Sequence, residues 1–322
     1  MNITKQLSFI FLIVLLLYTC STDYDIGKST IVEQDCLVVN SLLNPADPIR
    51  ICFYTTFGTD SGYRFANAKG VSVLLKENDA VLFNGICEDF ILSLNHYPKV
   101  GATYAIEASL AGYDRIEAKT HIPEPIQCKA EMKILGEVKY SVFDLLISLS
   151  EFNFPKDEQV GLLITSCVFY EHDTLQYNDL YVNNMLVDRI NREEGMEVKN
   201  ESVGSVYYNA FLRVKSANLP HLDEIIFTPS NLPYSVEHDH NVWPEQVNVK
   251  LITASKEYDQ YCRSLYEQKA MIIYDDDISS IVFQPIRVFS NIESGLGIFA
   301  GMNEMNYLFD YPEQPDFNLP EW

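Results

Sequence analysis

Short runs rich in Val, Ile, Tyr and Thr, each cut off by turn residues, set the strongest limit on what this chain can become. The runs "CLVVNSL", "IRICFYT", "VSVLLK", "ATYAIEAS" and "DRIEAKT" are separated by Asn-Pro, Gly, Asn-Asp and Ala-Gly. β-Branched and aromatic side chains suit a pleated, half-buried surface, and the punctuating residues end it, so the pattern specifies strands joined by tight connections. The first block, residues 35–126, therefore reads as an N-terminal β-sandwich, immunoglobulin-like or carboxypeptidase-regulatory-like. It closes at "IPEPI", where Pro123 and Pro125 remove amide donors and favour extended backbone, which puts a joint near residue 126.

Strand runs return beyond the joint in "DLLISLS", "VGLLITSCVFY", "SVYYNAFL", "EIIFTPS" and "VNVKLITA", giving a second β-rich domain over residues 127–322. One segment has a different period. In "SKEYDQYCRSLYEQ", Ser255 is suited to cap a helix, and Tyr258, Tyr261, Cys262 and Leu265 follow at i, i+3, i+4 and i+7. One helix is expected near residues 255–270, laid across a sheet edge, in an otherwise mainly β fold of two sandwich-like domains.

The N-terminus carries its own signal. The apolar run from Phe9 to Leu17 is about half of the ~20 residues a spanning helix needs. With Lys5 ahead of it and a break at Thr19-Cys20-Ser21, it has the layout of a secretory signal over residues 1–19. Leu17-Tyr18-Thr19-Cys20 resembles a bacterial lipobox, in which the cysteine is acylated and becomes the new N-terminus. Lipidation is thus assigned to Cys20, with residues 20–34 as a polar tether. Several acyl chains on one residue give stable attachment, whereas a single chain binds marginally.

Charge narrows the partners. The chain has 23 basic and 45 acidic residues, a formal net of −22. Nucleic acid and anionic lipid surfaces both demand clustered Lys and Arg, so neither is the expected partner. Apart from Cys20, six cysteines remain: Cys36, Cys52, Cys87, Cys128, Cys167 and Cys262. An even set in an oxidising compartment leads us to expect at least one disulfide, with a pairing that spacing does not give. Those inside apolar strand runs can equally serve as small buried hydrophobes.

Catalytic and metal motifs are sparse. The sequence has no Gly-x-Ser-x-Gly elbow, His-Glu-x-x-His, EF-hand loop or Cys-x-x-Cys. In "VEHDHNVW", His238 and His240 alternate on one strand face, with Glu237 or Asp239 able to add oxygen, but two ligands are an incomplete set and the segment reads as a polar loop. Asp275 to Asp277 read as a solvated turn. No cofactor, metal site or catalytic residue is assigned, and the chain is read as a non-enzyme.

The stretches "CLVVNSLLNPADP", "KGVSVLL", "VGATYAIEASLAGYDRIEAKTHIPEPI", "ASKEYDQY" and above all "VFSNIESGLGIFAG" resemble a lipoprotein family of the Bacteroidota catalogued as a domain of unknown function. The resemblance runs from about Cys36 to Gly301. It implies an outer-membrane lipoprotein on the periplasmic or cell-surface face, often encoded near TonB-dependent receptors and assisting them, with no known reaction or cargo. Read physically, "SNIESGLGIFAG" is a tight turn freed by Gly295 and Gly297, after which Ile298 and Phe299 return to a strand. The expected function is a lipid-anchored accessory or ligand-binding protein of an uptake system. The alternative is a surface adhesin or structural module without a receptor.

Cys20→Ala is expected to abolish acylation and impair release from the signal. Metabolic labelling with a fatty-acid analogue checks this, and equal labelling of the variant and the parent refutes the lipobox assignment.

Overall fold

A computed structural model describes residues 35–59, 62–137, 142–155, 160–169, 175–177, 179–182, 186–190, 211–230, 245–273 and 288–311. The chain is mostly β, in several sheets arranged as sandwich-like units. Eight strands lie before the joint: β1 (Leu37–Leu43), β2 (Arg50–Thr59), β3 (Gly62–Asn67), β4 (Val71–Glu77), β5 (Ala80–Cys87), β6 (Ile91–Ser93), β7 (Thr103–Ser109) and β8 (Ile116–His121). Nine follow it: β9 (Gln127–Glu137), β10 (Val142–Asn153), β11 (Gly161–Phe169), β12 (Leu175–Tyr177), β13 (Asp179–Val182), β14 (Val187–Ile190), β15 (Phe211–Val214), β16 (Glu224–Ser230) and β17 (Gln246–Ala254). Helix α1 (Lys256–Ile273) and the long strand β18 (Leu296–Asp310) complete the described elements, with a short 3-10 turn at Ser216–His221.

Alternation of side chains builds the first core. Val71, Val73 and Leu75 of β4, Tyr104, Ile106 and Ala108 of β7, and Ile116 and Ala118 of β8 point inward from the sheet ordered β5-β4-β7-β8. They meet Leu37, Val39 and Leu43 of β1 and Ile51 and Phe53 of β2 from the facing sheet. Asn78 and Asp79 both take positive φ (47° and 70°) between the paired Glu77 and Ala80. That is the two-residue hairpin turn whose twist matches right-twisted strands.

A second core joins Leu145, Ile147 and Leu149 of β10 and Ile225 and Phe227 of β16 to Leu162, Ile164, Leu212, Val214, Val247, Val249 and Leu251 of the opposite sheet. Ile122 belongs to the first core and Ile126 to the second. The strand β11 is apolar on both faces because it is covered on both. Leu162 and Ile164 face the second core, whereas Leu163 packs with Ile252, Ala254, Tyr258, Cys262, Ile298 and Ala300 under the helix. Helix α1 therefore lies across the face of β11, β17 and β18, not across a sheet edge as the sequence suggested, since only a face offers two rows of small and apolar residues to its Tyr258–Cys262 stripe.

Ser255 caps α1 as expected: its Oγ accepts from the Tyr258 amide at 3.3 Å. Asp259, one turn in, binds Arg213 of β15 in two parallel contacts, Nε to Oδ1 at 2.8 Å and Nη2 to Oδ2 at 2.6 Å. The planar fork of the guanidinium matches the carboxylate, which offsets the cost of burying both charges. Gly161 makes room for this pair: a Cβ there would lie 2.2 Å from Asp259 Oδ1.

The strand β18 unites the two units. Its residues Leu296 to Gly301 pair in parallel with β1, and Met302 to Asp310 pair antiparallel with β17. The ten-stranded sheet is thus two sheets meeting end to end in one strand, with Phe299 in the first core and Met305, Tyr307 and Phe309 packed against the second. The turn before it is made at Ser294 (φ 58°) and Gly295. Gly297 is not in that turn. It sits inside the strand at φ 107°, and a Cβ would fall 2.0 Å from the Val39 carbonyl oxygen.

None of the six cysteines named from the sequence is joined in a disulfide, so the expected crosslink is not formed. Each has local company instead. Cys87 Sγ donates to the Asp89 carbonyl at 3.0 Å, and Cys128 is gripped by the Tyr307 hydroxyl, which donates to its carbonyl and accepts from its amide, both at 3.0 Å. Burial pushes the Cys262 thiol up to about 12 and the Cys167 thiol up to about 11, the marks of small hydrophobes and not of nucleophiles.

Gly297→Ala is expected to lower the free energy of unfolding by roughly 2–4 kcal/mol, combining a forced positive φ with a backbone clash that has no flexible side chain to yield. Urea denaturation of the variant against the parent measures it. A change below about 0.5 kcal/mol, the range of ordinary surface substitutions, would show that β18 does not need this close approach to β1.

Candidate functional site

The densest polar constellation among the described residues lies at the end of the first sandwich that faces the joint. Glu77 closes β4 and is buried. Its Oε2 accepts from the Tyr104 hydroxyl at 2.5 Å and lies 2.6 Å from His96 Nε2, while its Oε1 accepts from Lys99 Nζ at 2.5 Å. Tyr104, fully buried at the start of β7, also accepts from the Lys99 backbone amide at 2.9 Å. Strand β4 thus holds the side chains, and β7 through Tyr104 the backbone, of the loop that runs from Leu94 to Ala102. The loop is tied further by the His96 carbonyl, which accepts from the Ile49 amide, and by Gly101, whose amide donates to the Ile122 carbonyl.

Burial alone would raise the Glu77 carboxyl. Hydrogen bonds from Lys99, Tyr104 and His96, with the Lys99 charge, outweigh it and hold the group at about 2. Tyr104 moves the other way, pushed above the usual phenol range by burial and by donating to a carboxylate. Both oxygens of Glu77 are occupied, so the group is an orienter and not a free base. What the arrangement can do is present a stiff loop: Tyr97 and Val100 stand 53% and 47% exposed on a backbone fixed from below. Binding residues are often carried in this way, on loops positioned by a rigid scaffold.

The candidates read from the sequence lie elsewhere. Cys20 and the signal and tether of residues 1–34 lie outside the described residues, as do Glu237, His238, Asp239 and His240, and Asp275 to Asp277. Among the described residues no group of three or more His, Cys, Asp or Glu is placed to hold a metal ion. Gly295 and Gly297 serve the pairing of β18 with β1. The braced loop escaped sequence reasoning because its partners are scattered over Glu77, His96, Lys99 and Tyr104. The one available sign was Pro98 and Gly101 immediately before a strand-leading tyrosine. No family model matches the chain, and no curated protein does.

Because the Glu77 pKa is lowered on folding, its contribution is fully present above the ordinary carboxyl value near 4.5 and is lost as pH falls towards about 2. Glu77→Gln is expected to cost about 2 kcal/mol at pH 7 and progressively less across that window. Urea melts of parent and variant at pH 7, 4.5 and 2.5 test this, and a difference that does not shrink with acid refutes the charge assignment.

Proposed function

We propose that this protein is a lipid-anchored accessory or ligand-binding protein of an outer-membrane uptake system, working beside a TonB-dependent receptor by binding and without a catalytic step of its own. The observation that carries this reading is the short apolar run that stops directly at Cys20, which supplies the attachment. The resemblance over residues 36 to 301 supplies the kind of partner. Two further features support it. The body is a pair of sandwich-like β units of the sort that display loops, and one such loop, Leu94 to Ala102, is braced and presents Tyr97 and Val100 outward.

Anchoring two proteins in one membrane raises their effective concentration, so a modest interface suffices to keep them together. The net charge of −22 selects a basic patch on the partner and speeds encounter. Complexes solubilised in detergent should then weaken as salt rises through the range in which the Debye length falls from ~10 to ~3 Å. Crosslinking in intact cells followed by mass spectrometry is the test. Recovery of an outer-membrane receptor above a lipid-anchored control is expected, and recovery of no outer-membrane protein would put the adhesin reading ahead.

A further inference from the structure

Three connections meet at the end of the first sandwich away from Asp35, and each is stiffened from within. The β1–β2 loop is closed by Asn44, whose Oδ1 accepts from the Ala46 amide and whose Nδ2 donates to Asp47 Oδ2, both at 3.2 Å. It runs beside the start of the Leu94–Ala102 loop, with the Ile49 amide on the His96 carbonyl and the Leu94 amide on the Ile49 carbonyl, both at 3.0 Å. On the other flank the Asn78-Asp79 turn is tied to the end of that loop. The Asn78 amide donates to the Thr103 carbonyl at 2.8 Å, and Asn78 Oδ1 accepts from the Thr103 amide at 2.9 Å. The loop thus stands between Asp47 and Asp79. Its Asn95, Tyr97, Lys99, Val100 and Gly101 are all exposed above a buried Pro98, so it forms a ridge and not a hollow.

We propose that this ridge is the surface that meets the outer-membrane partner, with Tyr97 and Val100 entering an apolar hollow on that protein whose rim is basic; the proposal deepens the binding function proposed above and rests on it. Shape and charge select the occupant. A small ligand needs concave walls to bury most of its surface, and a ridge offers none. Among the described residues Asp47 and Asp79 form no ion pair, whereas Lys99, the one Lys or Arg of the loop, is neutralised by Glu77. Arg50, which follows the β1–β2 loop, lies in β2, where its charge acts on Cys52. The flanks of the ridge are therefore acidic. They repel nucleic acid and anionic lipid, and a two-fold contact with a second copy would set the same patch against itself, acid against acid. A rim of Lys and Arg pairs with them instead. A tyrosine exposed on a backbone already fixed loses little freedom on docking, and tyrosines of this kind carry much of the energy of protein interfaces.

The test places the photo-crosslinking residue p-benzoylphenylalanine singly at Tyr97, Phe65 or Ile226 of the full chain, expressed in its own cells. Phe65 in β3 is 65% exposed against 53% for Tyr97, so it controls for an aromatic that is merely accessible, and Ile226 is an exposed residue of the second unit. Irradiation should join position 97, and neither control, to one outer-membrane protein, at a peptide of that protein carrying Lys or Arg. Val100→Asp should lower the yield from position 97 by about tenfold or more, as loss of an interface anchor does. Asp47→Asn with Asp79→Asn should lower it severalfold, with the urea midpoint of each variant unchanged. A lysine-reactive reagent that recovers an outer-membrane receptor while position 97 yields no more than Phe65 overturns the ridge and leaves the binding function standing. A crosslink from position 97 to a second copy of this chain also overturns it. A captured peptide without basic residues, or a yield indifferent to the paired Asp variants, overturns the basic rim. Recovery of no outer-membrane protein by either reagent overturns the binding function itself, and the ridge with it.

Discussion

The close approach of β18 to β1 is the contact from which the shape of the molecule follows. A parallel ladder needs the two backbones within hydrogen-bonding distance along its length, and here the approach is so tight that side chains are excluded at several points. A Cβ on Gly295 would lie 2.7 Å from the Leu37 carbonyl oxygen and on Gly297 2.0 Å from that of Val39, while at Gly301 it is β8 that comes close, a Cβ there lying 2.1 Å from the His121 carbonyl oxygen. Between these glycines Phe299 enters the first core and Ile298 and Ala300 face the helix. Without the glycines the strand could bury its side chains only by standing off from β1, and the first sandwich would lose the outer strand of one of its sheets.

Where β18 changes partner, backbone groups must be satisfied by something other than a neighbouring strand, and the sequence supplies short polar side chains for that purpose. Thr120 accepts from the Gly301 amide at 2.9 Å and donates to Glu257 at 3.0 Å. Thr253 accepts from the Ile126 amide at 2.7 Å, and Asn303 donates to the Pro123 carbonyl at 3.1 Å. Asn291 bridges both ways to Phe299, accepting from its amide at 3.0 Å and donating to its carbonyl at 2.7 Å. Each of these replaces a ladder bond that the break in sheet geometry removes, and an unsatisfied buried amide would cost a comparable amount. The proline-bounded segment between Ile122 and Ile126 is accordingly held at both ends. The clamp of Asp259 by Arg213 extends the same solution to the helix, which is fixed by a charged pair on one side and by Tyr258 and Cys262 packed in a hydrophobic row below.

What could be read from the sequence was whatever repeats at a short period. The mainly β class, the strands around Val38, Cys52, Val73, Ile106 and Ile147, and the helix starting after Ser255 all announce themselves by alternation or by 3.6-residue spacing. The turn at Asn78-Asp79 was visible from residue type and not from any period, since those residues tolerate positive φ. What was hidden depends on pairs far apart in the chain. Nothing local marks Gly297 as the neighbour of Val39, or Glu77 as the acceptor for Lys99 and Tyr104. The cysteines misled because an even count suggests crosslinks, while their positions inside strands make them space-filling residues. The helix was placed at an edge because its face could be read but its neighbour could not: Leu163 and Ile252 reveal a second apolar surface only once β11 and β17 are side by side.

The dependence of the first strand on the last also bears on how such a chain reaches its native state. Asn40 Oδ1 accepts from the Ile298 amide across 258 residues, and the partners in the β1–β18 ladder are equally remote. Closing loops of that size has an entropic cost that must be met before the contact stabilises anything, so folds dominated by such pairings form slowly. The N-terminal sandwich lacks an outer strand until residues 296–301 have been made and delivered. On the secretory reading proposed above this is an advantage, because a chain that must cross a membrane unfolded has to avoid completing a stable domain on the wrong side. Until then the exposed edge of β1, rich in Leu and Val, is a surface for mispairing.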